Sequence, residues 1–291
     1  MQDLRRLAFS VAYRMLGSVS EAEDVVQEAL LRLHDAEGVE NPEAFLTTAT
    51  TRLAIDVLRS ARVRRESYAG EWLPEPVVSD DPLERVEDEE TISLAFLVLL
   101  ERLTPEERAV LVLRDAFDYD FDGIAEIVGT SKANCRQILS RARKRIDDGR
   151  PRFDADPRER RALADRFLDA ARGGDMAGLV ALLAPDAVLT GDGGGKARAL
   201  PRPLVGAEAI ARAFVGFARL AERWRVTFDA VTVNGQPGFR VLAPDGGLVD
   251  VVGVDVAGGR IARIHSILNP DKLGHLGSVS DLGLRPSARP L

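Results

Sequence analysis

With 291 residues, 45% of them apolar, the chain is long enough for two or more domains, each with its own core. One cysteine, Cys135, and three histidines exclude a disulfide framework and a thiolate or imidazole cluster, so neither metal nor cofactor is expected. The opening MQDLRRLAFSVAYRML lacks an uncharged core, and no run of about 18 apolar residues occurs, so the chain reads as cytoplasmic and without membrane contact.

A net charge of −7 argues on average against a nucleic-acid partner, but the charges are sorted. Acids gather in SEAEDVVQE (20–28) and SDDPLERVEDEE (79–90), and arginines in RSARVRR (59–65) and SRARKR (140–145). Separated faces of opposite sign can hold a basic protein on one side and DNA on the other.

Helix start signals recur as far as residue 175. SEAE (Ser20, Glu23) and TPEE (Thr104, Glu107) have capping-box spacing, and NPEA, DPLE and DPRE set proline at the first helical position behind a capping side chain. Val25, Val26, Ala29, Leu30 and Leu33 mark one apolar face, whose polar side carries Asp24, Gln27, Glu28 and Arg32. A long helix through AFLTTATTRLAIDVLRSARVRRE (44–66) carries Arg52 and ends in Arg59, Arg62, Arg64 and Arg65. Cations near a helix C-terminus also stabilise it through the macrodipole, so this cluster alone is a weak signal. The stretch GEWLPEPVVSDDPLERVED (70–88) reads as a linker, and Trp72 within it favours a docked linker over a free one.

In FDYDFDGIAEIVGTSKANCRQILSRARKRI (117–146), Ile124, Ile127 and Val128 edge a short helix and Gly129 permits a tight turn. Thr130 or Ser131 then caps a second helix whose apolar edge is Cys135, Ile138, Leu139, Ala142 and Ile146. This is a helix-turn-helix pattern. Its outward face presents Lys132, Asn134, Arg136, Gln137, Arg141, Arg143 and Lys144, able to read base edges and grip phosphate; the plain alternative is a solvated basic face.

The second half changes period. Helices are expected near 157–172, 176–183 and 207–222, then WRVTFDAVTV, GFRVLAP, GLVDVVGVDV and RIARIHSIL alternate between turn signals as consecutive antiparallel strands. No strand is expected before residue 185, and the tail from Gly274 reads as loose. The fold class is therefore two all-α modules followed by an α+β curved-sheet domain, divided as 1–70, linker 71–93, 94–150, 151–273 and tail 274–291.

In their order and spacing, AEDVVQEALLRL, the long helix that follows and the helix-turn-helix resemble the extracytoplasmic-function sigma factors of bacterial RNA polymerase over roughly the first 150 residues. The resemblance implies that Asp24, Gln27, Glu28 and Arg32 dock on RNA polymerase core. It implies that Arg52, Arg59, Arg62, Arg64 and Arg65 belong to region 2, which reads the promoter minus-ten element, and that the basic helix belongs to region 4, which reads the minus-thirty-five element. The wording KANC departs from the commonest recognition helix, which leaves the target bases open. Ordinary members stop near residue 150 and are restrained by a separate anti-sigma protein. This chain continues into a half that resembles the SnoaL-like branch of the NTF2-like superfamily, which implies regulation in cis without a separate anti-sigma factor.

Three stretches reinforce that resemblance: WLPEP (Trp72, Pro74), DGGGK (Asp192, Gly193, Gly194, Gly195, Lys196) and NPDKL (Asn269, Pro270, Asp271, Lys272). DGGGK invites a phosphate-loop reading, but Thr190 stands where that motif needs glycine, Ala197 follows the lysine, and the prolines of ARALPRP block a helix start. A bare turn, for which the glycines supply positive φ, is the plain alternative. The sharper reading is a docking loop, with Asp192 and Lys196 pairing with charges of the helical half and the linker so that the motifs clamp the C-terminal domain against the helical half. SnoaL-like relatives include cyclases, and the second half leaves room for an unidentified small ligand. Asp250, Asp255 and His265 are the candidate catalytic groups, but period-two parity puts the two carboxylates on opposite faces, and no catalysis is expected.

Overall fold

The computed structural model describes residues 1–66, 68–80, 92–147 and 156–284, with the side chains of 61–66 and 147 outside the description. The chain divides into two compact units, residues 1–67 with 96–150 and residues 68–95 with 151–291.

The first unit holds α1 (Gln2–Leu16), α2 (Val19–Asp35) and α3 (Pro42–Glu66), then most of α4 (Leu94–Leu100), α5 (Pro105–Asp115), α6 (Phe121–Val128) and α7 (Lys132–Asp147). Local chemistry sets these boundaries. Thr104 and Glu107 close a reciprocal capping box at α5, and Asn41 caps α3 by accepting from Ala44 N at 3.1 Å. The second helix differs from the expectation: its cap is Ser18, two residues before Ser20, because the left-handed Gly17 ends α1 and leaves Ser18 extended. DPLE (81–84) lies outside the described residues.

Arg108 on α5 braces this unit. Its side chain is 3% exposed and donates to Met15 O of α1 at 2.7 Å and to Leu100 O of α4 at 2.6 Å, with Glu101 at 2.8 Å. Burial works against its charge, and these acceptors offset that penalty only while all are present. Arg108→Ala is expected to lower the stability of the helical unit by about 3 kcal/mol, read by urea unfolding followed by circular dichroism. A loss below about 0.5 kcal/mol would show the brace to be dispensable.

The second unit is a mixed seven-stranded sheet, with β1 (Val78–Ser79), β2 (Leu183–Asp192), β3 (Leu204–Val205), β4 (Thr227–Val233), β5 (Gln236–Leu242), β6 (Leu248–Ala257) and β7 (Arg260–Ile267) in the order β1-β4-β5-β6-β7-β2-β3. Helices α8 (Pro157–Arg172), α9 (Met176–Leu182) and α10 (Ala207–Trp224) contribute to the core, which gathers Phe167, Leu179, Ile210 and Phe214 with Val252, Val254 and Ile264. The β4–β7 meander is antiparallel as the alternation indicates. Three pairings escape the local pattern: β2 parallel to β7, β3 antiparallel to β2, and β1, a piece of the linker, joined to β4. Strand β1 and the first residues of β2 also precede residue 185, where no strand is expected.

The parallel β2–β7 pairing decides where the motifs go. It sets Asp192 opposite Ile267, so the loop after β2, DGGGK, and the short α11 (Pro270–Leu273) after β7, NPDKL, leave the sheet side by side. The tail from Gly274 is not loose as far as Leu284: Leu248 N donates to Ser278 O, Ser280 N to Leu248 O, and Leu284 bridges to Ala197 and is buried.

Candidate nucleic-acid interface and linker-docking site

Asp120 caps α6 through Gly123 N, and Gly129 at φ 75° ends it in the left-handed conformation. Ser131 Oγ accepts from Asn134 N at 3.2 Å and opens α7. Ile124 and Ile127 with Cys135, Leu139, Ala142 and Ile146 are the buried residues of the pair. Burial raises the Cys135 thiol and leaves it a core residue. The opposite side of α7 exposes Lys132, Asn134, Arg136, Gln137, Arg141, Arg143 and Lys144. Several are steadied locally: Lys132 by Asp122 at 2.5 Å, Arg143 by Asp115 at 2.6 Å, and Arg136 by the Phe121 ring at 5.3 Å.

On α2, Asp24, Gln27, Glu28 and Arg32 are all exposed, with Arg32 and Glu28 paired at 2.9 Å. On α3, two arginines expected to face DNA are occupied within the helical unit. Arg52 forks onto the last carbonyls of α6, Ile127 O at 3.0 Å and Glu126 O at 2.9 Å, a cation at a helix C-terminus. Arg59 holds Glu106 at the start of α5 at 2.7 Å. The side chains of Arg62, Arg64 and Arg65 lie outside the described residues.

The three quoted motifs meet at one carboxylate. Asp192 is fully buried and accepts from four donors: Tyr68 Oη at 2.6 Å, Gly194 N at 2.9 Å, Leu73 N at 2.8 Å and Lys272 Nζ at 2.7 Å. Lys272 also donates to Leu73 O and lies 4.1 Å from the centre of the Trp72 ring and 5.0 Å from that of Tyr68. Asn269 donates to Tyr68 Oη at 2.8 Å and caps α11 through Asp271 N. The cation at Asp192 is thus Lys272 rather than an arginine of the helical half, and Lys196 pairs with Asp271 at 2.7 Å.

All three glycines are sterically constrained, Gly193 because a Cβ there would lie 2.6 Å from the backbone oxygen of Ala197. A Cβ at Gly194, where φ is 55°, would lie 2.3 Å from Asn269 Nδ2, and one at Gly195, where φ is 74°, 3.0 Å from Ala69 Cβ. Further along, Pro74 and Pro76 are buried, Val77 exchanges hydrogen bonds with Asn234, and His275 Nε2 meets Pro76 O at 2.9 Å. Segment 68–80 is therefore built into the second unit.

Residues 1–64 match the Sigma-70 region 2 family, 93–146 Sigma-70 region 4, and 164–264 the SnoaL-like domain family. The chain is 39% identical to the ECF RNA polymerase sigma factor SigJ of Mycobacterium tuberculosis, over 92% of this chain and 90% of that one. The chain belongs to the extracytoplasmic-function sigma factors. It is also 31% identical to the probable ECF RNA polymerase sigma factor SigI of M. tuberculosis over 94% of this chain and 93% of the relative. The crystal structure of M. tuberculosis SigJ superposes with a TM-score of 0.75 at 35% identity, covering 94% of this chain and 96% of that one.

In this sigma factor two of the three candidate catalytic residues, Asp255 and His265, form a buried pair, and Asp250 stands apart from it. Asp250 accepts from Ser266 Oγ at 2.7 Å on one face of the sheet, while Asp255 meets His265 Nε2 at 3.0 Å and belongs by strand parity to the other. The hub residue that the motifs did not name is Tyr68. Its one signal is an aromatic ring just ahead of WLPEP in a chain with three tyrosines. Burial first, then Asp192, raises its phenol well above the usual range, so it stays a donor.

Lys272→Met leaves Asp192 buried without its cation. Cleavage within 68–77 in limited proteolysis should then quicken by on the order of tenfold to a hundredfold, with the sheet intact by circular dichroism. Unchanged cleavage would show that Lys272 does not hold the linker.

Proposed function

We propose that this sigma factor binds RNA polymerase core through the exposed polar side of α2 and directs it to promoters, α7 reading the minus-thirty-five element and α3 the minus-ten element. The observation that carries the reading is the face of α7: seven exposed residues able to contact bases or phosphates, opposite a buried apolar seam. The acidic total charge does not oppose this, because DNA meets only the local face. Arg52 and Arg59, bound to α6 carbonyls and Glu106, must first exchange those partners for phosphate or base. The helical unit described here is therefore a resting arrangement of regions 2 and 4.

Regulation acts in cis. Between the two sigma regions the described residues 68–80 and 92 lie in the second unit, and 68–77 is held at Asp192 and Asn234, so docking withdraws these residues from the tether between regions 2 and 4. Such a chain needs no separate anti-sigma factor, works in the cytoplasm and performs no catalysis.

Run-off transcription with purified core polymerase tests this, comparing the full chain with one ending near residue 150. Promoter-specific transcript from the full chain, with output changed by the truncation, is the expected result; no promoter-specific transcript from either would contradict the reading. Lys132→Ala or Arg136→Ala should weaken promoter affinity by about 1 to 3 kcal/mol and relax specificity at one position. Gel-shift titration against base-substituted promoters reads this, and unchanged affinity in both variants would remove α7 as the reading helix. Asp24→Arg with Gln27→Ala should reduce co-purification with core by setting like charges together; normal yield would show that face to be merely solvated.

A further inference from the structure

A cavity of about 1150 Å³ lies in the second unit, lined from α8, α10, β2 and β4–β7. Leu168, Phe214, Phe228, Phe239 and Val252 give it apolar walls. Phe217 and Leu220 of α10 also line it and are 44% and 37% exposed, so its apolar lining reaches solvent. Its size matches or exceeds the ~300–1,000 Å³ of ordinary small-molecule sites. An apolar hollow of that size with accessible aromatic edges is costly to leave in water.

Its polar groups are few and arranged by sign. Asp250 lies in the lining, and its Oδ2 accepts from Ser266 Oγ at 2.7 Å. Its Oδ1 is buried without a hydrogen-bond partner, an unusual state for a carboxyl oxygen. Burial pushes this carboxyl up to about 7, against the Ser266 hydroxyl and the amides of Val251 and Ile267, so near neutrality it is part-protonated. The other charged lining residues are Arg172, Arg198, Arg219, Arg225 and Glu222, all exposed. Four cations against one acid on the solvent side favour an anion there, while the orphan oxygen inside calls for a polar atom.

We propose that this cavity binds an amphipathic organic anion, its apolar body among the phenylalanines, its anionic head at the arginines and one hydroxyl group, able to accept from the protonated carboxyl, at Asp250 Oδ1. Polymerase has no part in this binding, so it stands or falls apart from the transcription reading. Deprotonated Asp250 opposes an anion, so affinity rises as pH falls through about 7.

The test uses the full chain and 1-anilinonaphthalene-8-sulfonate, which has fused rings and a sulfonate, followed by fluorescence and calorimetry. The expected result is one saturable site that decanoate displaces and decyltrimethylammonium does not. Affinity should rise by about tenfold from pH 8 to pH 6 and lose that dependence in Asp250→Asn. Ala218→Trp, which fills the cavity from α10, should abolish binding. Arg198→Glu with Arg219→Glu, both exposed and without fold risk, should weaken it by about tenfold or more. Multiple weak sites indifferent to the charge reversal, equal displacement by the cation, or no binding at either pH would overturn the proposal.

Discussion

Asp192 and Lys272, a buried carboxylate and a buried ammonium, form the contact on which the arrangement of the second unit depends. Removing two charges from water is expensive, and attraction between them offsets it only when their remaining hydrogen-bonding capacity is filled. Here the linker fills it: Tyr68 and Leu73 N complete Asp192, while Leu73 O and the Trp72 ring complete Lys272. Docking of the linker is therefore cooperative. Withdrawing any one of these groups leaves a buried charge short of partners, and the segment is held as a whole or released as a whole.

That logic connects sequence to topology. Parallel pairing of β2 with β7 brings the ends of both strands to one place, and each strand is followed directly by one motif. Gly193 and Gly194 of the first let its backbone pass Ala197 O and Asn269 at distances no side chain would allow. Asn269 in the second caps α11 and so presents Lys272 from a fixed turn. Asp192, Gly194, Asn269 and Lys272 have distinct physical tasks, and the tasks converge on one state of the linker.

Much of this was legible because it is local. Thr104 with Glu107 and Asp156 with Pro157 announce their helices, and residue parity alone separates Asp250 from Asp255. Pairings distant in sequence were not legible. β2 contains Pro185 and finds its partner some seventy residues later, and Arg52 and Arg59 take partners 74 and 47 positions away. Nothing in the pattern of α3 separates an arginine reserved for DNA from one engaged within the helical unit. Tyr68 and the ordered tail as far as Leu284 escaped for the same reason, since both depend on surfaces assembled only in the fold.

Hydrogen–deuterium exchange at single amides, in the parent and in Asp192→Ala, tests the cooperative docking most directly. The Leu73 amide, which donates to Asp192, should be protected in the parent comparably with the β5–β6 ladder. In the variant, protection at Leu73 and Val77 should fall together, by about tenfold to a hundredfold, while β5–β6 is unchanged. Equal protection of Leu73 in both proteins, or loss at Leu73 with Val77 untouched, would contradict the account.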